Sequence, residues 1–340
     1  MTSPKRAARS LLIDAGRSSR GWSRIGNFIK CPFLFALDQR IGVKLIGAAP
    51  LLKGSLGHLL QAHQHAIWGA EQGGCWVDNE WIDDPDCIML PQDAAFEYCK
   101  QNPEALPFVN QMLDVFEDYI ERFPVPPAVL AVEHEIAGVL GTKPHPKTGE
   151  PNFDLYLESV YDEEAHTFSP DLDITPVTLD CEGHPDHGKP IRLTRRIDLT
   201  TRERRGAILW DHKHTSKVDP KRADDAYAMD GGFSAFRILG KQRWPDLAEV
   251  ALQLICNRKP YRVERPIVPA TPFKDKGFAR MVWYYEHQIA QADMMFPNPW
   301  DWPMAMSETV CMSRYGLCPA AKRGSAMCFY GEAAKNDSSG

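Results

Sequence analysis

The segment RRIDLTTRERRGAILWDHKHTS constrains the chain most. Two runs with strand character, residues 192–200 and 207–212, are separated only by the turn-like TRERRG, and so short a link predicts an antiparallel hairpin. Side chains two apart on a strand share a face, so Asp211 and Lys213 point together, and the hairpin brings Asp198 beside them. Two carboxylates and an ammonium then converge on one spot.

Around this hairpin the periodicity predicts further elements. A short helix starts near Ser23 as N-cap and ends near Cys31. A longer one covers residues 52–68, with Leu52, Leu56, Leu59, Leu60 and Ile67 in one stripe. Residues 71–104 read as an excursion from the core, followed by a helix bearing Leu106, Val109, Leu113, Phe116 and Ile120. Residues 129–140 read as a strand with Glu133 and Glu135 on one face, and 141–176 as an elaborated loop or hairpin. A helix over 221–239, a strand pair at 250–256 and 263–268, and a last helix over 278–294 complete the order. The expected fold is therefore α/β, a central mixed sheet flanked by helices, as one domain over residues 21–330 with insertions near 71–104 and 141–176. Residues 1–20, with five basic side chains, read as a mobile basic arm, and 331–340 as a disordered tail.

No apolar run reaches the roughly 18 to 20 residues that span a bilayer, and no apolar leader is found, so a cytoplasmic location without membrane partners is expected. The net charge of -6 conceals a basic stretch, residues 189–222, with eleven Lys or Arg against four acids. Such a stretch suits a phosphate backbone, and equally a solvated charged face. Arg195, Arg196 and Lys217 are its candidate DNA contacts.

Carboxylates suit hard Mg²⁺ or Mn²⁺, which leave positions open for water and phosphate, and a nearby lysine orients water or stabilises the charge of a transition state. A salt-bridged surface strand produces the same D-x-K pattern. In GSLGH, His58 falls away from the leucine stripe on a face with Gly54, Ala62 and His65, where Gly54 leaves room above the imidazole. His63 lies within the stripe and reads as a packed, hydrogen-bonded core histidine. The nine cysteines are free thiols or metal ligands in a reducing compartment.

GSLGH, then VEHE on a strand, RID before a second strand, and DHK together resemble the RecB-type branch of the PD-(D/E)XK nucleases, which has a restriction-endonuclease-like core. The branch includes phage-recombination and CRISPR-adaptation nucleases. The resemblance implies that His58, Asp198 and Asp211 ligate Mg²⁺ or Mn²⁺ with the backbone carbonyl of His212, that Lys213 is catalytic with Asp198 and Asp211, and that Glu133 is a further acid of the site. It departs from the family where Gly232 of DGGFSAF stands in place of a glutamine, with Phe236 at the following aromatic position. Cys31 together with Cys311, Cys318 and Cys328 resembles the four-cysteine staple of the same branch, implying a 4Fe-4S cluster that joins the two ends of the domain. Their spacings are wider than those of zinc knuckles.

The expected activity is thus a metal-dependent DNA nuclease, an exonuclease acting on single-stranded DNA or duplex ends in recombination, repair or phage DNA processing, with a recombination or helicase partner. The alternatives are a catalytically weakened DNA-binding homologue of the same fold and a cysteine-zinc interaction module.

Overall fold

The computed structural model describes residues 11–13, 20–42, 49–216, 218–219, 227, 230–270, 272–304, 312–313 and 316–317. Its principal elements are α1 (Trp22–Lys30), α2 (Pro32–Ala36), α3 (Ala49–Glu71), β1 (Cys75–Val77), β2 (Glu80–Ile82), α4 (Pro91–Gln101), α5 (Val109–Arg122), β3 (Ala128–Pro144), β4 (Pro151–Leu157), β5 (Tyr161–Asp162), β6 (Thr167–Phe168), β7 (Thr175–Pro176), β8 (Arg192–Glu203), β9 (Gly206–Thr215), α6 (Gly231–Arg243), β10 (Leu247–Cys256), β11 (Val263–Glu264) and α7 (Pro272–Met295). The fold is α/β with a mixed sheet flanked by helices, as the sequence predicts. The expected single domain is resolved into two compact units interleaved along the chain: residues 1–18, 49–137 and 194–275 form the first, and 19–48, 138–193 and 276–340 the second.

In the first unit the sheet runs β11-β10-β9-β8-β3-β1-β2. The pairs β9/β10 and β1/β3 are parallel, whereas β8/β9, β10/β11 and β1/β2 are antiparallel. Residues 207–212 of β9 and 250–256 of β10 are buried without alternation, because helices cover both faces there. Trp210 packs with Ala62 and Ala66 of α3 in one core cluster. On the opposite face Leu209 approaches Gly240 of α6 so closely that a Cβ there would lie 2.6 Å from it. The predicted leucine stripe is real: Leu52, Leu56 and Leu60 pack with Ala95 and Cys99 of α4 and Met112 and Phe116 of α5. Each fully buried leucine contributes about 1.5–3 kcal/mol.

Several expectations change. Residues 71–104 are no excursion, since β1 and β2 extend the sheet and α4 closes a core. The turn between β1 and β2 is formed by Asp78 and Asn79, both with positive φ, a two-residue link of the kind whose twist matches a hairpin. The arm is anchored at its end: Leu11 bridges Ile88, and Ile13 is only 1% exposed. The helix expected over 221–239 is described from Gly231, capped by the Asp230 carboxylate, which accepts from the Gly232 N–H at 2.7 Å. Residues 1–10, 14–19 and 331–340 lie outside the described residues.

The second unit brings α1 and α2 onto the greater part of α7. Trp22 meets Phe278, and Phe35 stacks on Trp302 at 5.4 Å. Arg24 pairs with Glu286 and Arg40 with Asp293. The N-cap of α1 is Gly21 and not Ser23. Residues 138–144 of β3 pair with β4, and β5 with β6, so the elaborated loop is a set of hairpins. Among the described residues no helix is long and apolar enough to cross a membrane.

Candidate metal centre

The site lies where β8 and β9 part. Their ladder runs from Glu203↔Gly206 to Leu199↔Trp210. Beyond it, Asp198 Oδ2 accepts the backbone N–H of His212 at 2.6 Å, a side chain taking up a donor at the end of the ladder. The same oxygen lies 3.4 Å from His58 Nδ1 on α3. Glu133 of β3 completes the group: one ligand atom from each of His58, Glu133 and Asp198 falls within 4.8 Å of the others.

Glu133 reaches this position through an unusual backbone. It is 3% exposed in mid-strand with φ of +47°, a left-handed conformation that costs a non-glycine residue on the order of 1–3 kcal/mol. The β1–β2 turn holds both flanks, since Asp78 N–H donates to Val132 O and the Asn79 carboxamide oxygen accepts from Glu135 N–H at 3.0 Å. Strict alternation therefore fails at Glu133, and the one-face pairing of Glu133 with Glu135 does not describe this strand. No pattern of residue types announces such a kink.

Asp211 is placed differently from the expected ligand set. Its Oδ2 lies 2.5 Å from Lys213 Nζ and its Oδ1 3.4 Å from Arg195 Nη2, so one buried carboxylate holds two cations. Oδ2 is thus taken up by the Lys213 ammonium. Burial opposes charge on Lys213, but Asp211 and Asp198 outweigh it and hold the ammonium above its ordinary pKa. Burial pushes the Asp198 carboxyl up, against the pull of His58.

The histidines around the site divide by partner. His63 is a core residue, as expected: its Nε2 accepts from Ile13 N–H at 3.2 Å, so Nδ1 carries the proton donated to Met89 O at 2.8 Å. Burial lowers its pKa to about 4. His65 is equally buried, bonded to the Tyr119 hydroxyl at 3.0 Å. The His212 ring is buried and its pKa falls well below the usual value through desolvation. What the structure gives the His212 backbone at the site is its N–H on Asp198.

Gly54, read as the residue that clears space, meets nothing within 4 Å, whereas a Cβ on Gly57 would lie 2.2 Å from the imidazole of His214. Gly57 is thus what lets α3 lie against β9. A glycine costs a helix interior about 1 kcal/mol, and that cost was the available signal.

The basic stretch is largely neutralised within its own units. Lys189 pairs with Asp186, Arg192 with Glu158, Arg196 with Asp78, Arg202 with Asp246 and Arg205 with Glu249. Arg195 and Arg196 both pair with acids and are 19% and 16% exposed in their side chains, not a freely solvated basic face. The Arg195 guanidinium sits 4.3 Å over the Phe236 ring, and a Cβ on Gly232 would lie 3.1 Å from it. Where a glutamine was expected, an arginine from β8 fills the space. Lys217 lies outside the described residues, as do Cys311, Cys318 and Cys328. Cys31 is half-buried at the start of α2, and two residues on, Phe33 N–H donates to Pro303 O.

The donor set, two carboxylates and one imidazole, fits a six-coordinate divalent ion such as Mg²⁺ or Mn²⁺ that keeps water in its shell. No family model matches this chain, and no curated protein matches it.

Proposed function

We propose that this chain is a divalent-metal-dependent DNA nuclease with a restriction-endonuclease-like core of the RecB type. The observation that carries the reading is the meeting of His58, Glu133 and Asp198 beside the Asp211–Lys213 pair, on three elements far apart in sequence. A metal held there supplies an activated water and neutralises phosphate charge. The chain's own part is electrostatic. Lys213 stays protonated through neutral pH, so it acts as a fixed cation and donor toward a phosphoryl oxygen and not as a general base. Asp211 fixes that ammonium, and the His212 N–H orients Asp198.

The same reading assigns a 4Fe-4S cluster to Cys31, Cys311, Cys318 and Cys328, and an exonuclease role in recombination, repair or phage DNA processing. Anaerobic purification should give brown protein with a thiolate-to-iron band; colourless protein with stoichiometric zinc would remove the cluster. Activity is tested on linear DNA with Mn²⁺. The wild type should degrade it, and Lys213→Ala should slow the reaction by roughly 100- to 1,000-fold. Equal rates in the two proteins would end the catalytic assignment.

A further inference from the structure

A group of aromatic side chains in the first unit gathers on one face of β1. On β1, Cys75 and Val77 enter the core, so Trp76 points to the other face, where it meets Trp81 of β2 at 5.8 Å and His134 of β3 at 6.0 Å. His134 in turn meets Trp244, just beyond α6, at 6.1 Å. Trp81 is 52% exposed on the strand that ends the sheet. It is nevertheless held: its indole lies over Gly74, where a Cβ would fall 2.5 Å from the ring, and Gly74 has φ of +114°. The approach is made at Cζ2, Cε2 and Nε1 of the indole.

A cation accompanies the rings. The exposed Arg243 guanidinium lies 5.7 Å from the Trp76 ring and 5.9 Å from Trp244. Among the described residues no carboxylate is within ion-pair distance of it, in contrast to the paired arginines of β8. The group also adjoins the metal centre along the chain, because His134 follows Glu133, and Asp78, next to β1, holds Arg196 two residues before Asp198.

We infer that Trp81, Trp76 and Arg243 form a stacking platform for the bases of an unpaired nucleic-acid strand whose backbone leads to the Glu133–Asp198 centre. This rests on the nuclease reading and narrows its substrate to single-stranded or frayed DNA. A π-face held rigidly and half open to water suits every base, and the guanidinium suits the phosphate between two of them. A duplex end, with its bases already stacked, offers the platform nothing equivalent.

The test measures binding of fluorescently labelled oligo(dT), and of a blunt duplex of equal length, by anisotropy in EDTA so that no cleavage intervenes. Wild type should prefer oligo(dT). Trp81→Ala should weaken that binding by about tenfold or more with little change for the duplex, whereas Trp81→Phe should retain most of it. Arg243→Gln, at the exposed end of α6, should weaken binding and lower the salt dependence by about one phosphate contact, and it serves if Trp81→Ala does not fold. Folded Trp81→Ala and Arg243→Gln proteins that bind oligo(dT) like wild type would overturn the platform, as would a wild type that binds only duplex or only an unrelated polypeptide. Mn²⁺-dependent cleavage by the same preparations reports separately on the nuclease reading. Trp81-dependent binding without any cleavage would remove that reading and leave the platform standing.

Discussion

Gly57→Ala tests the link between the fold and the candidate metal centre. The new methyl would stand 2.2 Å from both Cε1 and Nε2 of His214 and 2.6 Å from Nδ1, whereas carbon contacts settle near 3.5–4.0 Å, so ring or helix must yield by about an ångström or more. If the ring yields, it gives up its 3.1 Å bond to the Gln61 side chain, worth about 0.5–1.5 kcal/mol. If α3 yields, overpacking costs about 1–3 kcal/mol and His58, the next residue, moves away from Asp198. Alanine returns about 1 kcal/mol of helix propensity, so the net effect is near zero if the ring yields and a loss of up to about 2 kcal/mol if the helix does. Gly54→Ala, in open space on the same helix, collects only the propensity and should stabilise by about 0.5–1 kcal/mol. Urea unfolding followed by far-UV circular dichroism compares the two. Gly54→Ala should raise the midpoint and Gly57→Ala should fall below it, and His214→Ala should relieve the Gly57→Ala defect in a double-mutant cycle. Coincident midpoints for Gly54→Ala and Gly57→Ala would refute the packing argument.

Mn²⁺ titration calorimetry separates the two candidate ligand sets: Glu133→Gln should weaken binding by at least about tenfold. A loss confined to Asp211→Asn would return the site to the ligands expected from sequence. Stability should also fall with acid because burial holds His63 neutral. Its folded pKa of about 4 lies below the ordinary 6.5, so its contribution is complete above 6.5 and is lost as pH falls through about 4, on the order of 3 kcal/mol. His63→Gln, which can make both hydrogen bonds without titrating, should flatten the pH dependence of the urea midpoint in that window; an unchanged slope would contradict it.

What the sequence made legible follows from periodicity. The leucine stripe of α3 announces itself through spacing, because burial on one face imposes a period, whereas the β8–β9 hairpin and the strand over 129–140 announce themselves through a short turn-like link and apolar, β-branched content. The short β1 and β2, only three residues each, offer no such period, and their place in the sheet is set by contacts with β3, more than 50 residues away in sequence. The division into two units is hidden for a related reason. Each unit is assembled from three separated stretches, and no linker composition marks their boundaries.

The site was legible in residue type and less so in geometry. Asp198 and Lys213 could be picked out because charged side chains are scarce on buried strands, and His58 because it falls off the leucine stripe of α3. Which acid faces which cation is decided by the backbone. Where the β8–β9 ladder stops, Asp198 turns to the His212 N–H and to His58, and the left-handed φ of Glu133 brings it to the same spot. Asp211, in the regular part of β9, keeps the strand's period and therefore meets Lys213. An acid that follows the pleat is committed to its neighbour two residues on, and an acid at a break in the pleat is available to a ligand from another element. That distinction explains why the acid treated as secondary in the sequence, Glu133, joins His58 and Asp198 in one candidate ligand group, while the acid of the D-x-K motif meets Lys213.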